Sequence, residues 1–175
     1  MKRIKLENIS DQFFEQAWEL YRDTFPLKMR RSKDLQARVM KNPKYNFDVI
    51  LNEREFIGFM FWWNFDKYSY IEHFSVSAEH RNKGLGKVVL EDFMLSHDKP
   101  IVLEVELPNS EIDKRRIKFY ERIGFKLNDH SYQLPSLQDG KAVLPLLLMT
   151  YPDLLSKKEV EIFVSKYHPI ILGAD

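Results

Sequence analysis

Three features of the sequence have residue types and spacing suited to chemistry: a glycine-containing turn, carboxylates on predicted strands and a helical tyrosine. The turn runs from Arg81 to Gly86 as Arg-Asn-Lys-Gly-Leu-Gly and joins a predicted strand to a predicted helix. Glycines there allow positive φ and close backbone approach, so several N–H groups can converge on one anion. The helix N-terminus adds its dipole to that position. The turn therefore predicts a site for a phosphate-bearing ligand.

Two widespread phosphate-binding loops do not fit this turn. A Walker A loop requires glycine where Arg81 stands and serine or threonine where Val88 stands. A Rossmann fingerprint requires glycine or alanine at the position of Val89. The pattern that remains is Arg-x-x-Gly-x-Gly.

This pattern resembles the acetyl-CoA pyrophosphate loop of the GNAT superfamily of N-acetyltransferases. The resemblance covers Tyr70 to Met94 and continues, in the family's order and spacing, through IVLEVE (Ile101–Glu106) and KFYERIGFK (Lys118–Lys126). It implies a mixed α/β fold with a central, mostly antiparallel sheet. That sheet would be splayed between strands 4 and 5 and flanked by helices, with an extra C-terminal helix. It also implies an enzyme that transfers an acetyl group from acetyl-CoA to an amine.

The resemblance implies which residues bind acetyl-CoA. Phe74 and Val76 would pair with the pantetheine arm, and a backbone amide near Phe74 or Ser75 would polarise the thioester carbonyl. Arg81 would steady the loop or the phosphates, and Asn109 is placed like the family's pantetheine-contacting residue. The pyrophosphate would be held by the backbone amides of Asn82, Lys83, Gly84, Leu85, Gly86 and Lys87. The alternative is a strand–helix connection that binds nothing.

The reaction needs two proton transfers, because an alkylammonium must lose a proton before attack and the departing thiolate benefits from gaining one. The resemblance implies Tyr120 as the acid and Glu72, on strand 4, as the base. Glu104 on strand 5 is the reserve candidate. Alternation along the strand predicts that Glu72 and Phe74 share one face and that His73 lies on the other. As alternatives, Tyr120 packs its ring against the core and Glu72 pairs with a surface lysine.

Composition excludes several other classes of protein. The chain has 175 residues and no cysteine, which removes disulfides, thiolate metal sites and an acyl-cysteine intermediate. Direct transfer in a ternary complex is then the simplest route. The balance of 27 Lys plus Arg against 26 Asp plus Glu argues against a nucleic-acid partner. No metal-ligand spacing, secretory signal or membrane span is evident, so we expect a cytoplasmic protein without a metal.

Hydrophobic periodicity predicts the order β-α-α-β-β-β-α-β-α-β-β-α within a single domain over residues 1–175. Ser10 and Asp11 are candidate caps for the first helix, and Ser110 with Asp113 is a capping-box pair for the fourth. The last strand is predicted over Ala142–Tyr151. A last helix, Ser156–Tyr167, lies beyond the minimal family core, and its apolar stripe must bury against the sheet or a second copy. The resemblance therefore also allows a homodimer.

The acceptor is the least determined part of the reaction. A primary amine on a small or amino-acid-like molecule is the leading interpretation, because no acidic or basic peptide groove is evident. A protein or peptide N-acetyltransferase and a non-catalytic acyl-CoA sensor are the alternatives, and aminoacyl-tRNA is a weaker one. The segment Arg22–Arg31 has four basic residues and one acid, which would suit an acceptor with a carboxylate or phosphate. A solvated loop explains charges in such a run better than an acceptor site does.

Overall fold

The computed structural model describes residues 1–135 and 143–173. The chain divides into two compact units, Met1–Lys99 and Pro100–Asp175, which are described separately. Within each unit the strands pair antiparallel, and helices accompany them. The predicted mixed α/β class with mostly antiparallel pairing is confirmed. The single-domain organisation over residues 1–175 stays a prediction.

The first unit is an antiparallel meander of strands with helices on both faces. Its elements are β1 (Lys2–Leu6), α1 (Phe14–Thr24), α2 (Lys33–Val39), β2 (Tyr45–Asn52), β3 (Glu55–Asn64), β4 (Ser69–Val76) and α3 (Leu85–Leu95). Phe59 and Phe61 face α1, where both rings contact Tyr21. Trp62 faces the opposite way and contacts Phe93 of α3. Strand β3 is therefore apolar on both faces, because helices cover it on both sides.

A β-bulge in β4 changes the face on which Glu72 lies. His73 is opposite Phe61 and Ile71 is opposite Trp62, so Glu72 is the extra residue at this position. Glu72 and His73 therefore both point toward the connection between α1 and α2. The prediction from strict alternation, which put Glu72 with Phe74 on the other face, is wrong for Glu72.

The second unit is arranged around one long strand. Its elements are β5 (Ile101–Glu106), α4 (Glu111–Glu121), β6 (Lys126–Leu127), β7 (Tyr132–Pro135), β8 (Val143–Tyr151) and α5 (Lys157–Ile171). Strand β8 pairs with β5, β6 and β7. The short β7 was not predicted, and otherwise the observed element order is the predicted one. The predicted start of the last strand, Ala142, lies outside the described residues.

The observed helix ends test the predicted N-caps. Ser110 and Ser156 both form capping boxes, as the spacing to Asp113 and Glu159 indicates. The predicted cap at Ser10 or Asp11 is wrong, because α1 begins only after Phe13, which has φ 71°. Asp11 instead accepts hydrogen bonds from the backbone of the preceding turn.

Helix α5 is longer than predicted and packs on its own chain. It continues past Tyr167 and through Pro169 to Ile171. Its apolar stripe, with Val160, Phe163 and Tyr167, is buried without a second copy. A homodimer therefore stays a prediction that this stripe does not require. None of the described helices has the length and apolar character to cross a membrane.

Candidate active site

The turn between β4 and α3 has the backbone geometry of an anion site. Asn82 and Gly84 have positive φ values of 60° and 77°. Alternation of left- and right-handed residues directs successive N–H groups to one side. A Cβ built on Gly84 would meet none of the described atoms within 4 Å, so open space lies beside the turn. Glycine is required there by its backbone conformation, since other residues rarely adopt it.

The amides of this turn are available to a ligand. Within the described part of the chain, no protein acceptor is assigned to the N–H groups of Asn82, Lys83, Gly84, Leu85, Gly86 and Lys87. The N-cap of α3, Gly84, has no side chain to satisfy its first turn. The side chains of Lys83 and Lys87 are exposed beside these donors. Consecutive free donors, a helix dipole and nearby cations together fit a pyrophosphate.

Side chains anchor the turn to the unit Met1–Lys99. Arg81 donates from Nε to the carbonyl of Val76 at 2.9 Å, which closes the turn onto the end of β4. His80 Nδ1 lies 2.7 Å from the hydroxyl of Ser77. Its Nε2 lies 3.4 Å from a carboxylate oxygen of Glu55, at the start of β3. Arg81 and His80 therefore tie the loop to β4 and to the start of β3.

Strand β4 positions the residues expected to meet the pantetheine arm. Phe74 and Val76 are half-buried on the face opposite His73, as alternation predicts for this part of the strand. Ser75 is buried between them in sequence, and its hydroxyl lies 3.1 Å from that of Thr24. Their contact with a ligand stays a prediction.

Glu72 lies in a buried ion pair. Its Oε1 is 2.7 Å from Nη2 of Arg31, and the two side chains are 3% and 0% exposed. Trp63 donates from Nε1 to the other carboxylate oxygen at 2.9 Å. Burial alone would lower the pKa of Arg31, but Glu72, Tyr45 and Tyr21 raise it above its ordinary value, so this guanidinium stays charged. The structural alternative, a pairing with a surface lysine, is thus replaced by a pairing with a buried arginine.

Two further contacts hold the connection between α1 and α2 in place, one from β4 and one from α1 itself. His73 Nε2 lies 3.0 Å from the carbonyl of Met29, which ends a single 3₁₀ turn over Leu27–Met29. The hydroxyl of Tyr21 accepts the backbone N–H of Arg31 at 2.9 Å. Burial raises the pKa of Tyr21 well above its ordinary range, so the phenol remains a neutral partner. One of the four basic residues of the segment Arg22–Arg31 is therefore structural.

Tyr120 and Asn109 lie in the second unit. Tyr120 stands near the end of α4, half-buried, with its ring against Phe125 at a centroid distance of 5.8 Å. Burial raises the pKa of Tyr120 to about 12, against a smaller lowering by Arg116. Its hydroxyl is consequently protonated at neutral pH, as a proton donor must be. Asn109 is exposed between β5 and the capping box of α4.

Glu104 has two close polar contacts in the second unit. Its Oε1 lies 2.6 Å from the hydroxyl of Tyr132 on β7 and 2.6 Å from Nε2 of His168 on α5. Tyr132 and His168 were not singled out from the sequence, and neither was Arg31 as a single residue. No spacing signal connects these residues, because each contact joins elements far apart in the chain. A histidine in the last turns of a helix otherwise indicates only a favourable position in the helix dipole.

The remaining candidate chemistry concerns metals. Within residues 1–135 and 143–173 no group of three or more histidine, aspartate or glutamate side chains is arranged to hold a metal ion.

Comparison with known proteins identifies a matching family and similar solved structures. A family model described as an acetyltransferase (GNAT) domain matches residues 43–127. This range contains the turn, β4, β5 and α4. A solved structure from Bacteroides thetaiotaomicron, described as a GNAT-family acetyltransferase, is 33% identical with a TM-score of 0.92. The match covers 100% of this chain and 100% of the other.

Two further relatives are more distant. The Bacillus subtilis (strain 168) protein YjbC, described as an acetyltransferase, is 26% identical over 147 residues, which are 82% of this chain and 74% of YjbC. An aminoglycoside 6'-N-acetyltransferase solved in complex with coenzyme A is 17% identical with a TM-score of 0.61. The match covers 90% of this chain and 100% of the other. At this identity the likeness concerns the fold.

Proposed function

Because the chain belongs to the GNAT family of acetyltransferases, we propose that it transfers an acetyl group from acetyl-CoA to a primary amine. The observation that carries the proposal is the row of unpaired amides from Asn82 to Lys87 at the start of α3. Such a row, with Lys83 and Lys87 beside it, suits the pyrophosphate of coenzyme A. A fold relative that holds coenzyme A supports this choice of ligand.

The acceptor is a small or amino-acid-like amine. The fold relative that acts on an aminoglycoside supports a small-molecule acceptor, although its identity to this chain is only 17%. The absence of cysteine supports direct attack within a ternary complex, since no thiol is present to carry the acetyl group.

Proton transfer is divided between two residues. The acceptor enters as an ammonium and loses one proton to the base, after which its lone pair attacks the thioester carbonyl carbon. As the carbon–sulfur bond breaks, the nitrogen releases a second proton, which restores the phenol of Tyr120 after that phenol has protonated the sulfur. Tyr120 gives its phenolic proton to the departing sulfur, for which a protonated hydroxyl is required. A backbone amide of β4 near Phe74 or Ser75 polarises the carbonyl oxygen.

The base is one of the two strand carboxylates, and Glu104 is favoured over Glu72. Glu72 is paired with the permanently charged Arg31 and is 3% exposed, so accepting a further proton would leave a buried cation uncompensated. Glu104 instead lies within hydrogen-bond distance of Tyr132 and His168, and neither of these two residues carries a permanent charge. Glu72 is then a residue that fastens β4 to the segment before α2.

Thiol release from acetyl-CoA across a panel of primary amines tests the function. The panel combines polyamines, amino sugars, amino acids and short peptides with free N-termini, so that a peptide acceptor would also be detected. We expect acetyl-CoA-dependent release with a subset of the small amines. No release with any amine, despite measured binding of acetyl-CoA, would favour the non-catalytic sensor.

The cofactor site is tested independently by calorimetry. Gly86→Glu places bulk and negative charge at the start of α3 and is expected to abolish acetyl-CoA binding. Glu79→Gln, in the exposed turn just before, is the control and should bind normally. Normal binding by Gly86→Glu would show that the assignment of the loop is wrong.

A further inference from the structure

A buried cluster in the second unit joins β5 to the C-terminal helix. The side chains of Glu104 and His168 are 8% and 5% exposed, and their contact is 2.6 Å long. The hydroxyl of Tyr132 reaches the same oxygen of Glu104, also at 2.6 Å. Contacts of this length to one oxygen are typical of charge-assisted hydrogen bonds. The arrangement ties three elements, β5, β7 and α5, to one carboxylate.

The protonation states in the cluster depend on each other. An ionised carboxylate only accepts, so an ionised Glu104 requires that Tyr132 and Nε2 of His168 both donate. A protonated Glu104 would be able to donate to His168, whose Nε2 would then accept. An isolated buried anion is costly, and two donors on Oε1 offset that cost. The geometry with two convergent donors therefore favours the ionised carboxylate.

Helix α5 is anchored so that His168 meets this carboxylate. Phe163, Tyr167 and Ile171 of the helix are buried, and they lie on either side of His168 in the sequence. The imidazole is flanked by the rings of Tyr132 and Phe163, at centroid distances of 5.2 Å and 5.7 Å. These apolar contacts restrict the ring, and the hydrogen bond to Glu104 then has a fixed direction.

We propose that α5 serves the reaction through this cluster, with His168 and Tyr132 as positioning residues that hold Glu104 as an oriented, ionised proton acceptor. The inference rests on the proposed function, in which the ammonium acceptor must lose a proton. In that step an N–H bond of the ammonium breaks, its electron pair stays on nitrogen and the proton passes to the Glu104 carboxylate. His168 and Tyr132 exchange no proton. They fix the rotamer of the carboxylate and stabilise its charge before the proton arrives.

Nitrogen-15 NMR of the full chain tests the charge state without any substrate. The imidazole signals of His168, assigned by their loss in His168→Gln, report which ring nitrogen carries a proton. We expect a protonated Nε2 at neutral pH, because the ionised Glu104 can only accept. An unprotonated Nε2 would mean that Glu104 is a carboxylic acid, and the proposal would be overturned.

Kinetics of two substitutions separate positioning from packing. His168→Phe keeps a ring of similar size without a donor, whereas His168→Gln keeps an N–H donor. A general base contributes about 10²- to 10⁴-fold, so we expect His168→Phe to lower kcat by about 10-fold or more. The KM for acetyl-CoA should not change. His168→Gln should recover most of the lost rate. Equal loss in both variants, or a loss seen only in the KM for acetyl-CoA, would contradict a positioning role.

A double-mutant cycle tests whether His168 affects kcat through Glu104 or independently of it. In a Glu104→Gln background, His168→Phe should cause no further loss of kcat, because residues that act through one group are not additive. Additive losses would overturn the proposal. His130→Phe, the same change at a partly exposed site of this unit, is the matched control and should leave kcat unchanged. Should the wild-type enzyme acetylate no amine at all, the proposed function fails, while the NMR result still decides whether His168 donates.

Discussion

Glu72 and Glu104 are both buried carboxylates on β-strands, and they differ in the partners that hold them. Glu72 lies 2.7 Å from a guanidinium that is always charged, while Glu104 is held by a phenol and an imidazole. Removing the charge of Glu72 leaves an uncompensated cation inside the protein, which is strongly unfavourable. Removing the charge of Glu104 leaves partners that can themselves be neutral. The partner of a buried carboxylate, more than its burial, therefore decides whether it can exchange a proton.

The largest expected effect is on stability and concerns the Glu72 side of the comparison. Arg31→Met leaves Glu72 as an uncompensated buried charge, which costs about 3–5 kcal/mol in the free energy of unfolding. Urea denaturation measures this loss. Lys33→Met, which removes an exposed pairing with Glu15 in the same unit, is the matched control and should change little. A loss as small as that of the control would mean that the Arg31–Glu72 pair is not important for stability.

Neutralising both members of that pair separates a structural role of Glu72 from a role in proton transfer. In Arg31→Met/Glu72→Gln no buried charge is left, and the glutamine oxygen can still accept from Trp63. We expect much of the lost stability to return and kcat to remain within about threefold of wild type, as a neutral replacement of a buried pair is often tolerated. A folded but inactive double variant would identify Glu72 as the base and reverse the comparison.

The matching change on the other carboxylate should act on the rate. Glu104→Gln retains an oxygen that can accept from Tyr132 and His168, so the fold should be kept. Loss of a general base lowers kcat by about 10²-fold or more. Steady-state thiol release with the best amine measures it, and the melting temperature reports the fold. A rate close to wild type would exclude Glu104 as the proton acceptor.

A smaller effect is expected for the proposed acid. Tyr120→Phe removes the hydroxyl and keeps the ring against Phe125, so kcat should fall by about 10-fold while acetyl-CoA affinity is unchanged. Calorimetry and steady-state kinetics measure the two quantities separately. An unchanged kcat would leave Tyr120 as a packing residue, which is the alternative noted from the sequence.

The pH dependence gives the smallest expected effect. Because the pKa of Tyr120 is raised to about 12, its proton is retained as the pH rises through neutrality. The rate at saturating substrates should therefore show no alkaline loss attributable to Tyr120 between about pH 7 and pH 10, where an ordinary tyrosine begins to ionise. An alkaline limb in this interval that disappears in Tyr120→Phe would contradict the raised pKa.

Local sequence signals predicted much of the framework. The capping box at Ser110 was predicted correctly, because it depends on two residues that are close in sequence. The predicted cap of the first helix was wrong, because the Asp11 carboxylate accepts backbone hydrogen bonds in the turn before the helix. The length of α5 was also predicted incorrectly, because the prediction ended the helix at Tyr167, before Pro169. Proline in a helix is disfavoured locally, but buried residues on both sides of Pro169 hold the helix together.

The sequence by itself determined the glycine turn and its position before α3. Backbone conformation and helix polarity follow from a few adjacent residues, so the convergence of amides at this turn was predictable. Only the tertiary structure decided the partners of the two carboxylates. The bulge in β4 turned Glu72 toward Arg31, and α5 brought His168 to Glu104 across 64 positions of the chain. Burial and charge pairing depend on which distant elements pack together, and the periodicity of a single strand does not predict that packing.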